Sequence, residues 1–218
     1  MSYFNTQERE AIFLYLFMHV DGLSTKEEKE RFNQICKELK VDNDFKVKLY
    51  EMGEKLRFMD SNDNSEMVIS LMNAFMNGDK SFKTVITNGT SVEIELDTSI
   101  FTFNATPKHY FNKAEQAFMI WTMVNLGYAD TSYSKTEQKV VNHLVSVWEM
   151  DKTVYNQIIT FAETLLSLDA QKEWVVSTNK TAEEKLNIIK QCDEDIKKIS
   201  RNVEIMIQEI YIWRRRTI

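Results

Sequence analysis

The sequence predicts a mainly α-helical protein, and three observations carry that reading. Only five Gly and one Pro occur in 218 residues, against about 7% and 5% of average usage. Such scarcity of turn-formers excludes many-stranded sandwiches, propellers and nucleotide folds built on a glycine-rich loop. Apolar residues recur at helical spacing through most of the chain. Finally, a stretch of about sixty residues is written twice, which marks duplicated supersecondary units. With 43% hydrophobic and 28% charged residues, the chain is of ordinary globular composition and long enough for one large domain or two small ones.

The first element is the longest apolar stretch, Ala11 to Val20. It is far short of the ~20 residues that a transmembrane helix needs. Gln7-Glu8-Arg9-Glu10 precedes it in place of a basic region, so no signal peptide is expected. Ile12 to Met18 is apolar on every face, which predicts a helix buried all round. The second helix starts at Thr25-Lys26-Glu27-Glu28, where the hydroxyl takes the amide of the third helical residue and the carboxylate reaches back to the cap. Phe32, Ile35, Cys36 and Leu39 then follow i, i+3, i+4, i+7 spacing. A third helix begins at Asp42 and runs to about Met59. A further amphipathic stretch, Met67 to Phe75, ends at Asn77-Gly78, a suitable C-cap.

The texture then changes. Ser81 to Pro107 is rich in Thr, Asn and β-branched residues, and Asn88-Gly89 separates Val85-Ile86 from the alternating Val92, Ile94 and Leu96. That is a hairpin signal, and Ile100 to Phe103 is a candidate third short strand.

Beyond it the first unit returns. Tyr3-Phe4-Asn5-Thr6-Gln7-Glu8 reappears as Tyr110-Phe111-Asn112-Lys113-Ala114-Glu115, and both lead into apolar runs, the second from Ala117 to Leu126. Two extra residues enter there, and an offset of 109 holds afterwards. Asp21, Lys26, Glu28, Asn33, Asp42, Glu54, Leu56 and Asp60 match Asp130, Lys135, Glu137, Asn142, Asp151, Glu163, Leu165 and Asp169. Roughly two or three identities would arise by composition over such a window, so eight argue for duplication. The second capping box is Ser134-Lys135-Thr136-Glu137, its stripe is Val141, Leu144, Val145 and Trp148, and its third helix runs from Asp151 to about Leu168. About seven helices result, in segments 1–79, 80–108 (the hairpin insertion), 109–170 and 180–216. Phe13, Leu16, Phe32, Ile35, Leu39, Trp121, Leu144 and Trp148 lie on the predicted core stripes.

The last segment is one long helix opened by the Thr181 to Glu184 capping box, about 54 Å long at 1.5 Å per residue. Ile189, Cys192, Ile196, Ile199, Val203, Met206, Ile210 and Trp213 form an unbroken heptad seam whose a positions are all β-branched, a parallel-dimer preference. Ile188, Ile205, Ile207 and Ile212 widen the stripe, which favours packing on the chain's own bundle. Both a partner seam and self-packing stay open.

The charge of −6 argues against nucleic acid, which selects a basic face. Arg214-Arg215-Arg216 suits the helix dipole, and peripheral contact with an anionic membrane is the weaker use for it. Cys36 and Cys192 form no disulfide or metal spacing, which fits a reducing cytoplasm. His19, His109 and His143 lie in different elements, and no nucleophile elbow, P-loop or HExxH occurs, so no enzyme is expected. The acidic loop Asp60 to Glu66 lacks the glycine and the closing glutamate of an EF-hand. The repeated acids Asp21, Glu28, Asp130 and Glu137 are the candidate ligands for a hard divalent cation such as Ca²⁺. Capping alone also accounts for their spacing.

An apolar helix ending in Val20-Asp21-Gly22, then Leu23-Ser24-Thr25-Lys26-Glu27-Glu28, repeated as Ala129-Asp130-Thr131-Ser132-Tyr133-Ser134-Lys135-Thr136-Glu137, resembles the TerB-like family, named for a tellurite-resistance protein. The resemblance covers the two helical units and leaves out the hairpin and the last helix. It implies a cytoplasmic bacterial helical bundle, a role in stress response (tellurite, phage or chemical), metal binding at the acidic loops, and action through protein partners. Asp130-Thr131 departs from Asp-Gly in the second copy, and the units are more widely separated than in the family's compact form. The alternative is a helical scaffold that self-associates or recruits a partner through the heptad helix and the hairpin, with no ion involved.

Overall fold

The computed structural model describes residues 6–22, 24–56, 63–79, 81–85, 91–95, 111–129 and 133–213. Among these residues the chain is mainly helical. The helices are α1 (Thr6–Phe17), α2 (Lys26–Glu38), α3 (Asn43–Leu56), α4 (Ser65–Asn77), α5 (Lys113–Gly127), α6 (Lys135–Val147), α7 (Lys152–Ser177) and α8 (Ala182–Gln208), which runs into a π-helical turn at Glu209–Trp213. Strands β1 (Ser81–Val85) and β2 (Ser91–Glu95) pair antiparallel, with Phe82 opposite Ile94 and Thr84 opposite Val92. The hairpin turn and residues 100–103 lie outside the described residues.

Helix starts are written locally. Thr25 caps α2 through a reciprocal box: Glu28 N–H donates to Thr25 Oγ1 at 3.1 Å, and Thr25 N–H donates to Glu28 Oε2 at 2.6 Å. Ser134 and Glu137 repeat this at 3.2 and 2.7 Å, which satisfies donors the first turn cannot pair itself. Asp42 Oδ1 accepts from Asp44 N–H at 2.8 Å, and Asp151 Oδ1 from Thr153 N–H at 2.7 Å. The helix ends correspond as well. Lys40 and Glu149 hold left-handed φ of 59° and 46°, a conformation that costs a non-glycine residue about 1–2 kcal/mol. There the Val41 and Met150 amides donate to the Cys36 and Val145 carbonyls at 2.9 and 3.0 Å, a Schellman pattern. From Thr6 to Lys113 the offset is 107; from Lys26 to Lys135 and from Asn43 to Lys152 it is 109.

The centre of the core is α1. Ala11 to Met18 are buried on every face, with α2, α3, α4 and α5 packed around the helix. Phe13 joins the units: its ring lies 5.2 Å from Phe111, edge-on, and 6.3 Å from Trp148, stacked. Trp148 Nε1–H donates to Met76 Sδ at 3.3 Å, and the Lys113 ammonium donates to the Trp148 carbonyl. Six of the eight residues predicted for the core are buried, whereas Leu39 and Trp121 are only half-buried against it. Leu39 is the C-cap of α2, where the chain turns away and covers one side only.

The predicted end of the seventh helix, near Leu168, needs correction. α7 continues to Ser177 because Asp169 to Glu173 contains no Gly or Pro and consists largely of good helix formers. The gap expected from 170 to 180 therefore shrinks to a short turn before α8.

Close approach decides one glycine. A Cβ on Gly53 of α3 would lie 2.0 Å from Tyr15 Oη. Tyr15 is buried among Phe32, Tyr50 and His19, so it has little room to retreat. The position 109 residues on is Ala162, where a methyl is accommodated. Gly53→Ala is expected to lose ~1–3 kcal/mol through overpacking, read from urea unfolding. Adding Tyr15→Phe removes the nearest atom and should recover part of that loss.

Candidate functional site

The acidic candidates sit where both units' second helices begin. After α1 the chain turns through Asp21 to Gly22, whose φ of 118° favours glycine. The start of α4 pins this turn: Asn64 Nδ2 donates to the His19 carbonyl at 2.9 Å, and Asn64 N–H donates to the Val20 carbonyl at 2.7 Å. Asp21 is half-buried and Ser24 is buried. The Ser24 hydroxyl has no hydrogen-bond partner among the described residues.

Capping-box glutamates normally face water, but Glu28 and Glu137 are only 3% and 2% exposed. Gly127 of α5 explains the second. A Cβ there would meet Glu137 Oε1 and the Tyr133 ring, each at 2.8 Å, so the carboxylate rests on bare backbone. Burial drives the Glu137 carboxyl up to about 8, against the opposing backbone and hydroxyl hydrogen bonds of Ser134. Asp21 and Glu28 raise it further by charge repulsion. Acids of the first unit thus act electrostatically on the second unit's capping glutamate, with α2 packed on α5 and α5 on α6. Asp130 lies outside the described residues. Among the described residues, no group of three or more His, Cys, Asp or Glu is arranged to hold a metal ion.

The other titratable candidates do not gather there. His19 packs edge-on against Tyr15 at 4.8 Å, and burial pushes it down to about 4 despite a backbone hydrogen bond at Gly22. His143 Nε2 lies 3.2 Å from Asn73 Oδ1, linking α6 to α4, and burial lowers it too. His109 lies outside the described residues. Cys36 and Cys192 are free and buried, and burial raises the Cys36 thiol to about 11, which keeps it protonated and a poor nucleophile. Of the acidic loop, Asp63 Oδ1 accepts from Ser65 N–H at 2.9 Å and from its hydroxyl at 2.6 Å, an ordinary helix-start arrangement; Asp60 to Asn62 lie outside the described residues. Sequence reasoning missed Glu10. Its carboxyl is raised to about 7 by burial and then by Glu115 across the α1–α5 contact, with Arg9 opposing. The available signal was its place directly before the all-apolar Ala11 to Met18.

The heptad seam divides in two. Val203 and Ile207 enter the central core, and Met206 and Ile210 pack against it, so the lower part of α8 is covered by the chain's own α5 and α7. Farther out, Cys192 is buried apart from that core together with Val175 of α7, and Ile189, Ile196 and Ile199 are half-buried. Trp213 closes the π-helical turn. Residues 165–199 therefore form a two-helix arm, tied across by Lys172 Nζ to Asp193 Oδ1 at 3.2 Å.

No described helix is long and apolar enough to cross a membrane. Compared with family models, curated proteins and solved structures, the chain matches none of them.

Proposed function

We propose that the chain is a TerB-like module of two duplicated units that binds a divalent cation at its paired capping acids and signals to a protein partner, in a stress response, without catalysis of its own. The observation that carries this reading is the burial of two capping carboxylates, Glu28 and Glu137, at 3% and 2% exposure; burial is the main cause of the raised Glu137 carboxyl, to which Asp21 and Glu28 add charge repulsion. Two buried carboxylates with the half-buried Asp21 adding to their repulsion are an expensive arrangement unless a cation or protons neutralise them. Carboxylate oxygens with a hydroxyl such as Ser24 are the hard donors that Ca²⁺ takes. The matching helix starts, helix ends and hydrogen bonds support the duplication.

Titration with Ca²⁺ during thermal melting tests the cation reading. A ligand binding only the native state at 100 times its dissociation constant stabilises by ~2.7 kcal/mol. The double change Asp21→Asn with Glu28→Gln keeps a capping-competent amide at position 28 and is expected to abolish that shift. An equal shift in the variant, or none in the parent, would reduce these acids to capping alone.

A further inference from the structure

We draw no further inference here: the strongest candidate, the side-chain cluster at the α1–α2 turn, where the buried Ser24 hydroxyl lacks a hydrogen-bond partner among the described residues and lies in sequence between Asp21 and Glu28, belongs to the site already described.

Discussion

Phe13→Ala is expected to lose ~3–5 kcal/mol, the cost of removing a fully buried aromatic side chain and leaving its cavity. That approaches the whole stability of a modest domain, ~5–15 kcal/mol. The reason lies in position as much as in size. Phe13 belongs to the helix that is buried on every face, and its ring contacts Phe111, which leads into α5, and Trp148 at the end of α6. Its loss therefore loosens the junction between the units as well as the first unit's interior. Trp148 is held in turn by its own bond to Met76 of α4, so collapse to refill the space is opposed from two sides. Chemical denaturation should show the drop. A double-mutant cycle with Trp148→Leu should show coupling of ~0.5–1.5 kcal/mol for the ring pair. Leu39→Ala should cost less than Leu144→Ala, because Leu39 is half-buried and Leu144 fully buried. A loss under about half a kcal/mol at Phe13, far below the range for a buried aromatic, would mean that the two units do not share a core.

What could be read in advance follows the range of the interaction. Helix starts are local: a hydroxyl, three residues and a carboxylate suffice, so Thr25–Glu28 and Ser134–Glu137 announce α2 and α6 without reference to the rest of the chain. The offset of 109 depends only on aligning the sequence with itself, and it places the left-handed Lys40 and Glu149 in correspondence although neither residue type advertises that conformation. Burial is not local. Nothing around Glu137 says that its carboxylate will rest on Gly127 of another helix, nor that Asp21 and Glu28, written more than a hundred residues earlier, will act on it. The same holds for α8. Heptad spacing identifies the stripe from Ile189 to Trp213, but only the packed bundle shows that Val203 and Ile207 join the core and that the stripe beyond them stands on an arm. Glu10 escaped because an acid before an apolar run looks like a solvated helix start, and only α5 and Glu115 make it otherwise.

The second large effect is a stability that falls as the solution becomes alkaline, and Glu137→Gln should abolish much of that fall. Glu137 is raised from 4.5 to about 8, and Glu10 from 4.5 to about 7, both first of all by burial. An acid whose folded-state value lies above its unfolded one binds its proton more tightly when folded. Its contribution is complete below the unfolded value and is lost as pH climbs through the folded one. For Glu137 that window runs from 4.5 to about 8. His19 works in the opposite sense: lowered from 6.5 to about 4, it must be neutral in the core, so its contribution is present above 6.5 and lost on acidification toward 4. Between 4.5 and 6.5 the two acids outweigh the one histidine, and above 6.5 the acids act alone. Stability should therefore peak near pH 5 and decline toward pH 8. Each pH unit separating the folded and unfolded values is worth ~1.4 kcal/mol. Glu137 thus sets an upper bound of about 5 kcal/mol, which relaxation around the carboxylate reduces to ~2–3 kcal/mol. Gln keeps the capping geometry, since Glu and Gln serve equally at the third helical position, but carries no charge to desolvate. The Glu137→Gln variant should accordingly melt higher than the parent at pH 8, match it near pH 4.5, and show a flatter profile between. Added Ca²⁺, if held by these acids, should flatten the parent's profile in the same direction by neutralising the buried carboxylate without protonating it. A parent profile flat from pH 5 to 8 without added cation would place Glu137 in water, and with it the junction on which the cation reading depends.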